Sequence, residues 1–200
     1  MYQSDSSYRA MSFCRPINTH GRSIILVGMM GSGKTTVGKE LSRLTGLPVL
    51  DMDSVIEEQI GKSIPDIFKE YGEAHFRALE TALLKYLENS SNASRGPAII
   101  STGGGVVLSA QNRAILRRLG YVAWLDVTVD VLIERTSRSA NRPLLNTPER
   151  FSVITDLCNR RIPLYEEASH IRIETSTMDV LKVVDMVHAS AIEYFSHFDQ

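Results

Sequence analysis

The chain has 200 residues, with 22 Lys and Arg against 23 Asp and Glu, a formal net charge of −1. Hydrophobic residues make up 43% and charged residues 22%, a composition that excludes a disordered or collagen-like chain at a length sufficient to bury a core. Balanced charge argues against a dedicated nucleic-acid binder, the longest nearly apolar run (24–30) is too short to span a bilayer, and Cys14 and Cys158 support neither a disulfide framework nor a zinc site.

Residues 1–22 contain Ser4, Ser6, Ser7 and Ser12, three arginines and a single acid, Asp5, with no apolar periodicity. They read as a polar, disordered leader ahead of a single domain over 23–200. No apolar core marks a secretory signal, so the expected location is the cytoplasm. An organellar transit peptide is the minor alternative, weakened by the shortness of the segment and by Asp5. Residues 23–27, β-branched and closed by Gly28, predict a buried strand and a turn. Val37, Leu41 and Leu44 recur at helical spacing, and Gly46 ends that helix. A second strand follows over 48–51, then a helix over 73–90 with the stripe Phe76, Leu79, Leu83 and Leu87. Strands over 97–101 and 121–125 bracket a helix at 109–119, and helices over 129–137 and 149–161 precede a last strand at 171–174. The C-terminal helix carries Val180, Val183, Val184, Val187 and Ala191 on one face. Alternating strands and helices make βαβ units, hence an α/β fold with about five parallel strands covered on both faces. The least patterned internal stretch, 137–148, reads as a mobile loop.

Gly28-Met-Met-Gly-Ser-Gly33-Lys34-Thr35 matches GxxxxGK[ST] at every fixed position, after a predicted strand and before a predicted helix. Glycines let backbone N–H groups turn toward phosphate oxygens, and the helix N-terminus adds partial positive charge. Lys34 is suited to reach the β- and γ-phosphates, and the Thr35 hydroxyl to hold Mg²⁺. A glycine-rich turn that merely connects two elements is the bland alternative, and the Lys-Thr pair argues against it. Neither NKxD nor DxxG occurs, which disfavours a switch GTPase, and no apolar run ends in Asp-Glu as in motor ATPases. Tyr121 to Asp126 ends an apolar run in one acid, which suits either metal work or a strand-end cap. A small kinase fits best.

Asp51 and Asp53 stand at the end of the second strand, on the edge where a parallel sheet binds ligands. In an extended segment residues two apart face the same way, so both carboxylates are expected at that edge. The competing role for Asp53 is to cap the next helix. Gly103, Gly104 and Gly105 follow the third strand at the same edge and bring backbone close to a ligand. Arg77 with Glu80 at i+3 is either a surface bridge or an arginine held to grip a carboxylate.

These residues together carry a family likeness. The pieces GMMGSGKTTVG, DMD, FRALE, IISTGGG, NRPLL and NRRIPLYEEAS occur in order over about 23–198, and the chain resembles the shikimate kinases. The resemblance implies a three-layer α/β/α sandwich of the P-loop nucleoside-monophosphate-kinase type, with strand order 2-3-1-4-5. It implies MgATP-dependent phosphorylation of the 3-hydroxyl of shikimate, on the route to chorismate and the aromatic amino acids. Gly31, Ser32, Gly33, Lys34, Thr35, Thr36, Arg135 and Arg142 then serve ATP, with Arg142 on a lid over 137–148 and Arg135 near adenine. Asp53 contacts the acceptor hydroxyls, Arg77 and Arg161 clamp its carboxylate, Gly103–Gly105 add backbone contacts, and Glu80 orients the arginine. Thr35 holds Mg²⁺ directly and Asp51 through water. Asp53, Lys34 and Arg142 are the expected catalytic group. Family members that carry an arginine after the last strand differ from this chain, where 174–178 has none. The implied partners are shikimate and ATP, without nucleic acid or membrane, in a monomer. The alternatives are another small-molecule kinase, such as a gluconate kinase, or a non-catalytic nucleotide-binding relative.

Overall fold

The computed structural model describes residues 14–91, 96–137 and 150–199. Its elements, in chain order, are β1 (Ser23–Val27), α1 (Lys34–Thr45), β2 (Val49–Asp51), α2 (Met52–Ile60), α3 (Ile64–Ser91), β3 (Ile99–Ser101), a 3₁₀ turn (Val106–Leu108), α4 (Ala110–Leu119), β4 (Gly120–Asp126), α5 (Val129–Ser137), α6 (Arg150–Ala168), β5 (Ile171–Glu174) and α7 (Val180–Ser196). The five strands form one parallel sheet in the order β2-β3-β1-β4-β5. That is the expected order, with β1 at the centre and buried along its whole length.

Side chains of a strand alternate between faces, and here the alternation builds two cores. Ile25 and Val27 join Leu50, Met52, Ile56, Leu84, Trp124 and Tyr165 under α2 to α6. Ile24 and Leu26 join Val37, Leu41, Tyr121, Leu125, Val183, Val187 and Phe195 under α1 and α7. Each fully buried Ile or Leu contributes about 1.5–3 kcal/mol, so β1 must be apolar on both sides. The parallel arrangement sends the β1, β2 and β3 C-termini to one edge, where the glycine-rich loop, Asp51 and Gly103 meet.

Three expectations need correction. The helix expected over 73–90 is the second part of α3, which starts at Ile64 and is broken at Gly72 by φ 81°, ψ 168°. Left-handed backbone costs glycine nothing and interrupts the helical ladder. The helix expected to end at Arg161 runs on to Ala168 through Pro163, because Arg161, Tyr165 and Ala168 are all buried against the rest of the protein. That packing outweighs the bond a proline withholds. Residues 14–22, expected to belong to the leader, lie on the domain instead. Arg15 N donates to Leu44 O at 2.6 Å, the Arg15 guanidinium pairs with Asp185 at 2.5 Å, and His188 Nε2 lies 3.1 Å from Arg15 O. Ile17 packs on the α1–α7 core, and the Arg22 guanidinium sits 4.5 Å from the Phe198 ring centre. The rest of the leader, and all of the expected lid except Ser137, lie outside the described residues, as does Arg142. No helix among the described residues is long and apolar enough to cross a membrane.

Candidate active site

The glycine-rich loop joins β1 to α1 and sits above the centre of the sheet. Lys34 is 8% exposed, and its Nζ donates to Gly28 O at 2.8 Å, Met29 O at 2.9 Å and Ser32 Oγ at 3.4 Å. Among the described residues no side chain caps the N-terminus of α1, so its first N–H groups face the loop as a place for an anion. A cavity of about 530 Å³ opens here. Gly31, Ser32, Gly33, Thr35, Thr36, Asp51, Asp53, Gly104 and Arg135 all line it. The loop glycines, both acids and one arginine thus converge on one cavity.

Beside the loop, Thr35 Oγ1 donates to Asp51 Oδ2 at 2.8 Å and lies 3.5 Å from Ser101 Oγ. The other Asp51 oxygen accepts from Asp53 N at 3.1 Å and Ser54 N at 3.4 Å, capping α2. The capping acid is therefore Asp51 rather than Asp53. The extended geometry expected to align the two carboxylates is also absent, because Asp53 already belongs to the first turn of α2. Both still face the cavity, Asp51 from the strand end and Asp53 from the helix. Two hydroxyls and a carboxylate are hard oxygen donors, the chemistry that suits Mg²⁺.

Around Gly103–Gly105 the remaining residues gather. Arg77 Nη1 donates to Glu80 Oε2 at 2.7 Å, and its Nε and Nη2 donate to Glu73 Oε1 at 3.2 and 2.8 Å. Glu80 is fully buried, and its Oε1 accepts no hydrogen bond among the described residues. Burial pushes the Glu80 carboxyl above the usual range, and the Arg77 guanidinium opposes the shift. A methyl group at Gly103 would lie 2.6 Å from Glu80 Oε1 and 2.8 Å from Asp53 Oδ1, and one at Gly105 would overlap the Arg77 guanidinium. Glycine here is a matter of close approach: backbone, two acids and an arginine share one small volume. From α6, Arg161 is 8% exposed, and its Nη1 donates to Gly104 O at 3.2 Å. The pairing of Arg77 with Glu80 is therefore not a surface bridge, and Arg161 is not a solvated helix face.

Arg135 Nη1 reaches the loop at Gly31 O, 3.3 Å away. On the far side the cavity is walled by Thr175, Met178, Val180 and Val183, a largely apolar shelf in place of an arginine after β5. Asp126 does not face the cavity. Its carboxylate accepts from Arg172 Nη2 at 2.8 Å and Nε at 3.0 Å, the strand-end role of the two considered. Sequence reasoning left three residues without a role. Ser101 and Thr102 line the cavity, and Tyr165 donates its hydroxyl to Gly104 O at 2.5 Å. All three lie inside motifs already noted, but their contacts are long-range and carry no spacing signal.

Comparisons with known proteins agree on one family. The family model described as shikimate kinase matches residues 30–191. A shikimate kinase of Bordetella avium is 41% identical over 168 residues, spanning 84% of this chain and 78% of that protein. Among solved structures, the shikimate kinase from Acinetobacter baumannii in complex with shikimate superposes with a TM-score of 0.79 at 38% identity, covering 86% of this chain and 93% of that one. A gluconokinase from Sinorhizobium meliloti, 16% identical with a TM-score of 0.52 over 90% of this chain and 97% of its own, shares the fold alone.

Proposed function

This chain belongs to the shikimate kinase family, and on that premise we propose that it transfers the γ-phosphoryl group of ATP to the 3-hydroxyl of shikimate, giving shikimate 3-phosphate and ADP. The observation that carries the reading is that Arg77 and Arg161 both meet the Gly103–Gly105 segment, whose Gly104 is packed against the phosphate loop. Two guanidiniums beside a phosphate cradle suit an acceptor that carries its own carboxylate.

In this reading the protein acts by positioning and charge more than by covalent chemistry. Lys34 gives up its bonds to loop carbonyls and turns to the β- and γ-phosphates, and the uncapped N-terminus of α1 receives their oxygens. Asp53 orients the acceptor hydroxyl and takes its proton as the oxygen attacks. Arg77, held by Glu80, and Arg161 fix the carboxylate end, while the backbone of Gly103–Gly105 lines the ring. Arg135 attends the nucleotide. Arg142, outside the described residues, is assigned to the transferring phosphoryl group by the resemblance alone. Thr35 and Ser101 would supply hydroxyl oxygens for Mg²⁺, and Asp51 would hold it through water. When bound, the ion neutralises charge on the phosphates. We further propose a monomer that works in the cytoplasm on these two small molecules.

The test is ADP release by the purified protein, offered shikimate, gluconate and nucleoside monophosphates side by side. Only shikimate is expected to stimulate release. Stimulation by gluconate would move the chain to a different acceptor class, and a flat response to every acceptor would favour the non-catalytic alternative.

A further inference from the structure

We infer that Tyr165 is a positioning residue for the acceptor clamp: its hydroxyl keeps the Gly104 carbonyl paired, so that Arg161 is free to turn to an acceptor carboxylate. This rests on the phosphotransfer reading above. Two donors meet at one half-buried oxygen on the cavity wall. Tyr165 is fully buried and donates to Gly104 O at 2.5 Å, while Arg161 Nη1 reaches the same oxygen at 3.2 Å. Both come from α6 at i and i+4, hence from one face of the helix. The shorter bond is the permanent one, because the tyrosine has this carbonyl as its acceptor and its other polar contact, with the Arg161 guanidinium, leaves the hydroxyl proton on Gly104 O. The longer bond belongs to a charged group that the acceptor also needs.

Two constraints keep the carbonyl from turning away to find another partner. Gly104 is pressed against the phosphate loop, where even a methyl group would come within 3.0 Å of Met30 N. On the other side the Tyr165 ring is stacked on Trp124, with centroids 5.5 Å apart and planes 21° from parallel. The stacked ring fixes the aim of the hydroxyl, and burial pushes that hydroxyl's pKa well up, so it stays a donor. Even a half-buried carbonyl left without its donor loses a hydrogen bond that water replaces only in part. Without the tyrosine hydroxyl, Arg161 would be the sole donor to Gly104 O among these contacts, and each acceptor that claimed it would strand that oxygen.

The experiment is Tyr165→Phe, which keeps the ring on Trp124 and removes only the hydroxyl. Steady-state ADP release in the parent comes first, since a parent without shikimate-dependent turnover sinks the functional reading and not this one. With an active parent, the variant is expected to raise KM for shikimate about tenfold, with kcat and KM for ATP within about twofold of the parent. Shikimate binding is then titrated through the fluorescence of Trp124, the chain's single tryptophan. Against an Arg161→Ala background, the same Tyr165→Phe change is expected to cost no further shikimate affinity. An unchanged KM for shikimate overturns the inference. So does an equal rise in both KM values with a lowered melting temperature, which would mark Tyr165 as packing. Full additivity with Arg161→Ala would likewise place the effect elsewhere.

Discussion

Glu80 has no exposure to water, stands next to a second acid, and is held in that position by Arg77. Desolvating a carboxylate costs several kcal/mol, and a guanidinium at 2.7 Å offsets much of it. The pair is therefore asymmetric under mutation. Arg77→Ala leaves the Glu80 carboxylate buried without its cation, and is expected to lower stability by about 2 kcal/mol at neutral pH. Adding Glu80→Gln to Arg77→Ala removes the stranded charge and should return most of that loss. Urea unfolding of the two variants and the parent measures both steps, and equal stability of the single and double variants would show that Glu80 does not depend on its cation. On the proposed reading neither variant should retain tight shikimate binding, since both lack the Arg77 guanidinium.

Among elements, the segment 14–22 does the least predictable work. It ties the C-terminal end of α1, at Leu44, to α7 at Asp185 and His188. It also buries Thr19 and packs Ile17 into the core beneath them. Removing residues 1–22 is expected to lower the melting temperature by about 5 °C, on the scale of one buried aliphatic side chain in a chain of this size. Thermal unfolding of the truncated protein checks it, and Ile17→Ala should reproduce a good part of the shift. Sequence reading gave this segment no structure because irregular backbone leaves no period to find. The same limit explains the other misses. Val37, Leu41 and Leu44, or Phe76, Leu79, Leu83 and Leu87, repeat at helical spacing and mark their helices plainly. Asp51 as a cap, Gly72 as a break and Pro163 as a tolerated interruption are decided by neighbours that periodicity does not see. The site was more legible than the fold's details, since phosphate and carboxylate binding demand glycine, lysine, arginine and acid at fixed places along the strand ends. Tyr165 escaped because its partner oxygen belongs to backbone far away in sequence.

For the whole molecule, His170 links proton uptake to unfolding. It stands where β4, β5 and α7 meet, stacked on Tyr121 at 5.8 Å and tilted against Tyr194 at 4.6 Å, and its Nδ1 accepts from Val122 N at 2.9 Å. Burial, with the nearby Arg117 charge, pulls its pKa down from 6.5 to about 4. The unfolded chain therefore binds the proton first as pH falls. Stability from this group is complete above pH 6.5 and drains away on descending toward pH 4. Partial exposure reduces the full linkage value to about 2 kcal/mol, a melting shift of about 5 °C. His170→Asn keeps an acceptor near Val122 and has no proton to gain, so its melting temperature should fall less than the parent's between pH 7 and 4.5. Parallel pH profiles for the two would remove His170 from the acid response.

The three glycines after β3 also bear on how this site can be attacked and defended. Each is closed in a different direction: Gly103 by two acids, Gly104 by the phosphate loop and Gly105 by Arg77. An inhibitor that leans on that backbone meets a surface whose smallest possible edit, one methyl group, collides with Glu80, the phosphate loop or Arg77. On the proposed reading, escape by substitution at those positions would disable the target along with the drug.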